Sequence, residues 1–230
     1  MRVVLLTNRG SRYGLRVLAA LRARGVPLAA VGVLDQPPGY HLRLFRWVRR
    51  RVGLRDAVCF GLRRVWHGLR RRRPLPGYAE YWVPVVRMDG RMGPDMTAAL
   101  AGLEPDLLVL GQTGIVPRAV LDIPAVGTLN AHPGVLPHYR GMDSALHALL
   151  DHRPDRVGVS VHWVDAGVDT GPVIRVLPAR LDGVSDVFGL DGLLEDMSVA
   201  ALADVCAELH GGAALPGEPQ APDAGRQYYK

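Results

Sequence analysis

The chain has little cysteine and no long apolar run. Its two cysteines, Cys59 and Cys206, stand far apart in 230 residues, without the paired spacing of a disulfide framework or a cysteine metal cage. Two free thiols in partly apolar surroundings are expected. No apolar stretch reaches the roughly 18 residues that a membrane helix needs, so no membrane span is expected. The first residues, Met1 to Asn8, run straight into a strand-like segment and lack the pattern of a signal peptide, which makes the cytoplasm the expected compartment. The eight histidines are scattered without ligand spacing, and no metal is expected. Internal repeats are absent, as are a P-loop and a complete GxGxxG.

What is present fits a globular chain. A hydrophobic fraction of 48% and a charged fraction of 22% are ordinary for a soluble domain, and the length suits one domain with a small appendage. The expected organisation is a single domain over 1–210, containing a basic helical segment at 42–73, and a C-terminal tail at 211–230. Between Arg43 and Arg73 there are twelve arginines and one acidic residue, Asp56. Interleaved Leu44, Trp47, Val48, Leu54, Phe60, Trp66 and Leu69 suggest basic amphipathic helices that either pack on the surface or attract anions.

Hydrophobic periodicity predicts an alternation of strands and helices. Strands are expected at Arg2 to Thr7, Leu28 to Leu34, Tyr81 to Val86, Asp106 to Leu110, Val126 to His132, Val157 to Val164 and Pro172 to Leu177. Helices are expected through Leu15 to Leu21, at Asp95 to Leu103, at Ser144 to Leu150 and within Val184 to Leu209, whose start is not marked. This order suggests an α/β fold, a parallel sheet with crossover helices. The Gly- and Pro-rich tail from Gly211 reads as a loop over the body.

Open parallel sheets bind ligands at the carboxyl ends of their strands, and three polar segments fall at such ends. Asn8-Arg9-Gly10-Ser11-Arg12 resembles an anion-cradling turn before a helix, although an ordinary strand-to-helix turn has the same composition. Gly111-Gln112-Thr113-Gly114-Ile115-Val116 follows an apolar strand. In the third, Asn130 and His132 lie two apart in an extended segment, so both project to one face beside the Pro133-Gly134 break. Downstream, Asp165, Gly167 and Asp169 lie in a Gly-rich turn closed by Pro172. A lone Asp in such a turn is more often a turn former than a catalyst. His162 reads as a structural histidine near the pocket, and the other histidines have no evident partners.

Asn130, His132, the loop Leu136-Pro137-His138-Tyr139-Arg140-Gly141 and the turn Asp169-Thr170-Gly171-Pro172 together resemble the 10-formyltetrahydrofolate-dependent formyltransferase family, from the first strand to about Leu177, which implies a Rossmann-like α/β fold, a mostly parallel twisted sheet with helices on both faces. The resemblance implies an enzyme in which an amine attacks the formyl carbon and negative charge builds on the formyl oxygen, a charge that needs aimed donors. It assigns catalysis to Asn130, His132 and Asp169, with either His132 or a water held by Asp169 as general base. It implies a pterin pocket at Gly111, Gln112, Thr113, Gly114, Ile115, Val116, Asp165 and Gly167. Asn8, Arg9, Gly10, Ser11, Arg12, Tyr139 and Arg140 are expected at the acceptor.

The expected acceptor is a small-molecule amine carrying phosphate, such as an amino sugar nucleotide or a specialised metabolite. Arg140 is similar to the Arg-Gly of tRNA and amino-sugar formyltransferases, whereas glycinamide ribonucleotide enzymes usually carry Pro there. Because the tRNA enzyme has an additional C-terminal domain and only about 50 residues follow the presumed core, tRNA is not expected. A deformylase normally has an extra N-terminal domain, so hydrolysis is an alternative rather than the leading reading. A homodimer is compatible with all of these readings.

Overall fold

The apolar runs at Val3 and Leu107 become neighbouring strands at the centre of one sheet. The computed structural model describes residues 1–35, 46, 58, 77–221 and 223–228. The expected basic segment at 42–73, apart from Arg46 and Val58, lies outside the described residues, as do Cys59, His41 and His67. Strands are β1 (Val3–Asn8), β2 (Leu28–Asp35), β3 (Val85–Asp89), β4 (Leu107–Gly111), β5 (Gly127–His132), β6 (Tyr139–Gly141), β7 (Gly158–Trp163), β8 (Val173–Pro178) and β9 (Arg226–Tyr228). Helices are α1 (Arg12–Ala23), α2 (Pro94–Ala101), the short α3 (Arg118–Leu121), α4 (Ser144–Leu150) and α5 (Val187–His210).

The main sheet has the order β3-β2-β1-β4-β5-β7-β8. The five strands from β3 to β5 are parallel, and β7 and β8 are added antiparallel. Alternate residues sort to the two faces, as a period of two requires. Val3, Leu5, Leu107 and Val109 pack under Val17 and Leu21 of α1 and Leu202 and Val205 of α5. Val4, Leu6, Leu108 and Leu110 pack on the other face with Met96 and Leu100 of α2 and Val120 of α3. Each fully buried Leu or Val contributes about 1.5–3 kcal/mol against its exposed state, which is why these strands are continuous apolar runs rather than half-polar ones. The sheet is therefore the expected mostly parallel, Rossmann-like one, with helices on both faces.

Helix starts follow their capping residues. Ser11 accepts the Gly14 N–H at 3.0 Å and begins α1, and Asp186 accepts the Gly189 N–H at 2.6 Å, which marks the α5 start that periodicity left open. Gly14 is required at the first turn of α1, because a Cβ there would collide with the Thr7 side chain at the end of β1.

Two expectations change, and one edge of the sheet is antiparallel. The strand expected at Tyr81 begins at Val85, since Tyr78–Tyr81 is a 3-10 turn and Trp82 has a left-handed φ of 53°. Strands β7 and β8 run antiparallel because the Asp165 to Pro172 turn joining them is too short for a crossover. The tail is not wholly a loop: β9 pairs in parallel with β6, matching Tyr139 with Arg226 and Gly141 with Tyr228. There Tyr228 stacks on His147 with ring centroids 3.7 Å apart, giving that histidine a partner the sequence did not show.

Candidate active site

The strand order reverses between β1 and β4, which opens a crevice at their carboxyl ends. Asn8 at the end of β1 and Gln112 just after β4 meet across it, the Asn8 amide donating to the Gln112 carbonyl. The end of β5 lies next to β4 and carries Asn130 and His132.

Antiparallel pairing of β5 with β7 sets Asn130 opposite His162 and His132 opposite Ser160. Directly opposite residues share a face, so four polar side chains gather there. Asn130 Nδ2 lies 3.3 Å from His162 Nε2. Ser160 donates to the Gly134 carbonyl at 2.7 Å and accepts the Leu136 N–H at 3.0 Å, which fastens the chain break after His132.

Asp169 joins the two histidines. Its Oδ2 is 3.3 Å from His132 Nδ1 and its Oδ1 is 3.5 Å from His162 Nε2. Oδ2 also accepts the Gly141 N–H at 2.8 Å. Asp169 itself sits at φ 56°, a left-handed conformation uncommon outside glycine. The expected trio of Asn130, His132 and Asp169 is thus brought into one cluster. His162, read from sequence as structural, is its fourth member.

The proton inventory of the cluster follows from its partners. His132 Nε2 lies 2.9 Å from the Tyr139 carbonyl, which can only accept, so that nitrogen carries hydrogen. Burial pulls the His132 imidazole below its ordinary 6.5, and this outweighs the upward pull of Asp169. Burial alone would raise the Asp169 carboxyl, but His162, His132 and the Gly141 N–H more than offset it and hold Asp169 below its ordinary 3.8. At neutral pH the cluster therefore holds an ionised carboxylate beside a neutral imidazole whose Nδ1 is unprotonated, an arrangement that can take up one proton.

The segments expected to hold a pterin remain open main chain. Thr113 to Pro117 lie outside any helix or strand, Gln112 and Gly114 have φ of 62° and 83°, and Ile115 is 79% exposed. Such a loop offers an apolar surface beside backbone donors and acceptors, which suits a flat heterocycle. Val116, in contrast, is buried in the core. In the second turn Asp165 is occupied internally, accepting the Gly167 N–H at 3.1 Å and the Thr170 hydroxyl at 2.6 Å.

The residues expected at the acceptor divide. Asn8, Arg9, Gly10, Ser11 and Arg12 do lie at the crevice end of β1, but Ser11 is spent as the α1 cap and Arg9 pairs with Asp35 at 3.4 Å. Tyr139 and Arg140 have other partners. Both are buried; the Tyr139 hydroxyl donates to Asp151 at 3.0 Å, and Arg140 reaches Gln220 at 3.0 Å and the Ala221 carbonyl at 3.1 Å. Arg140 thus bonds the tail, whereas Tyr139 bonds the end of α4. Among the described residues, no group of three His, Cys, Asp or Glu could hold a metal ion, and no helix is long and apolar enough to cross a membrane.

An Asn, two His and an Asp thus stand together at one edge of a Rossmann-like α/β sheet. Residues 70–183 match the family model described as formyl transferase. Over 90 residues the chain is 48% identical to a methionyl-tRNA formyltransferase of Dehalococcoides mccartyi, covering 38% of this chain and 28% of that protein. A glycinamide ribonucleotide transformylase from Symbiobacterium toebii shares the fold with a TM-score of 0.63 at 20% identity, covering 97% of this chain and 94% of that one. So does a sugar N-formyltransferase from Shewanella, with a TM-score of 0.61 at 14% identity, covering 99% of this chain and 76% of that one.

The chain spans less than half the length of the curated relatives it matches, from 28% to 45% in the first three. These relatives overturn one expectation. They are methionyl-tRNA formyltransferases, so the short stretch after the catalytic segment is no ground for setting tRNA aside.

Proposed function

We propose that the chain transfers a formyl group from 10-formyltetrahydrofolate to a primary amine. The observation that carries this reading is the Asn130, His132, His162 and Asp169 cluster, set within the segment that matches the formyl transferase family model. In the proposed reaction the amine nitrogen bonds to the formyl carbon, and the bond from that carbon to the folate nitrogen breaks. The folate nitrogen gains a proton and the attacking nitrogen loses one. Asn130, part-buried near the end of β5, donates to the formyl oxygen as charge builds there. Asp169 takes the ammonium proton, directly or through water, and the neutral His132 beside it shares that proton as an imidazolium held between Asp169 and the Tyr139 carbonyl.

The loop Gly111 to Val116 and the turn Asp165 to Asp169 are proposed to hold the pterin, and the segment Asn8 to Arg12 to face the acceptor. Residues 1–210 are proposed to act as one catalytic unit that contains the basic segment 42–73, with 211–230 as its C-terminal tail. For the acceptor, an amino sugar nucleotide is supported by the sugar N-formyltransferase neighbour, which aligns with 99% of this chain. Methionyl-tRNA is a second reading, favoured by the curated relatives. The test is tetrahydrofolate release from the formyl donor with water alone, with methionyl-tRNA and with a panel of amino sugar nucleotides. Release that depends on an amine supports transfer; release in water alone converts the reading to hydrolysis.

A further inference from the structure

We propose that Gln220, in the C-terminal tail, is a positioning residue that holds the Asp169 carboxylate against the two histidines. This rests on the formyl-transfer reading for its kinetic consequence, but its geometry stands independently. The Gln220 side-chain amide donates to the Asp169 carbonyl at 2.9 Å and to the Gly171 carbonyl at 2.7 Å. Its Oε1 accepts from Arg140 Nε at 3.0 Å. Two carbonyls need donors and a guanidinium needs an acceptor, so the amide has one workable orientation.

These bonds close a ring. From the main chain of Asp169 the ring runs through Gln220 to Arg140, along one residue to Gly141, and back through the Gly141 N–H to the Asp169 carboxylate at 2.8 Å. Asp169 sits at a left-handed φ of 56°, in a turn where Gly171 has no room for a Cβ against the Trp163 carbonyl. Such a conformation persists when its surroundings over-determine it. Gln220 supplies a constraint that the turn's own backbone does not. It is far from the cluster in sequence and touches none of the reacting groups, so its contribution passes through Asp169.

The consequence is a loss of alignment at the Asp169 carboxylate. A displacement of about 1 Å at a reacting group costs on the order of 100-fold in rate. Gln220→Ala removes the ring's central member, and Gln220→Glu keeps the acceptor for Arg140 but sets a carboxylate against two carbonyls. The experiment compares both variants with the wild-type chain by kcat and KM for the formyl donor, by circular dichroism, and by NMR titration of the His132 and His162 ring nitrogens.

Both variants are expected to lower kcat about 10- to 100-fold and to change the titration curves of both histidines. A folded variant with wild-type kcat and wild-type curves overturns the proposal. So does a loss of activity with unchanged curves, or one that merely tracks loss of the sheet. If the wild-type chain transfers formyl to no amine, the functional reading fails, while the titration comparison still decides whether Gln220 sets Asp169.

Discussion

His162 Nε2 lies 3.3 Å from the Asn130 amide nitrogen, while its Nδ1 lies 2.8 Å from the Trp163 carbonyl. The carbonyl can only accept, so in the neutral ring Nδ1 carries the hydrogen and Nε2 is left to accept from Asn130. His162 thereby orients the amide proposed to meet the formyl oxygen. Replacing it with Phe keeps a ring in the core but removes the acceptor. We expect kcat of His162→Phe to fall about 10- to 100-fold, in the range set by loss of donor alignment. His162→Gln, which can still accept, should retain more activity. Equal kcat for wild type and His162→Phe would remove His162 from the account.

Acid should destabilise the fold through His132. Its folded pKa is held below the ordinary 6.5 by burial, so as pH falls through 6.5 the unfolded chain takes up a proton before the folded one does. The resulting loss begins near that value and continues down to the folded pKa, with a slope of up to about 1.4 kcal/mol per pH unit. Asp169, also depressed from 3.8, adds a loss of the same sign at lower pH. Urea denaturation from pH 7.5 to 5 should show the slope in the wild-type chain and a shallower one in His132→Gln. Parallel curves would contradict the buried neutral imidazole.

Gly141 meets two demands at once. It has φ of 87°, and a Cβ there would run into the Tyr228 carbonyl across the β6–β9 pair. Gly141→Ala should destabilise the fold by roughly 1–3 kcal/mol and pull the N–H away from Asp169. Chemical denaturation measures the first effect and kcat the second. Retention of wild-type stability would mean that the tail does not press on β6 in solution.

Much of this arrangement is legible in the sequence because it rests on local patterns. The runs at Val3, Leu28 and Leu107 declare buried parallel strands, and the i, i+2 spacing of Asn130 and His132 sets both on one face. What is not legible depends on register and on distant chain. His162 joins the site because β7 pairs antiparallel with β5, placing it opposite Asn130, and alternation within β7 cannot reveal that partner. Strands β6 and β9 have three residues each, too few for a period to show. Tyr139 and Arg140 therefore read as loop residues, when they form a strand that pairs with the tail. Gln220 carries no local signal, since its role exists only once the tail crosses the Asp169 turn.

The central claim is that the Asn130 amide stabilises negative charge on a transferred formyl oxygen. The most direct measurement is kcat for amine-dependent tetrahydrofolate release by the wild-type chain and by Asn130→Ala, with the acceptor that the wild type uses. Loss of one oxyanion donor costs about 100- to 1,000-fold in turnover, and a fall of at least about 100-fold with an intact fold is the result expected. Undiminished turnover in Asn130→Ala would contradict the account.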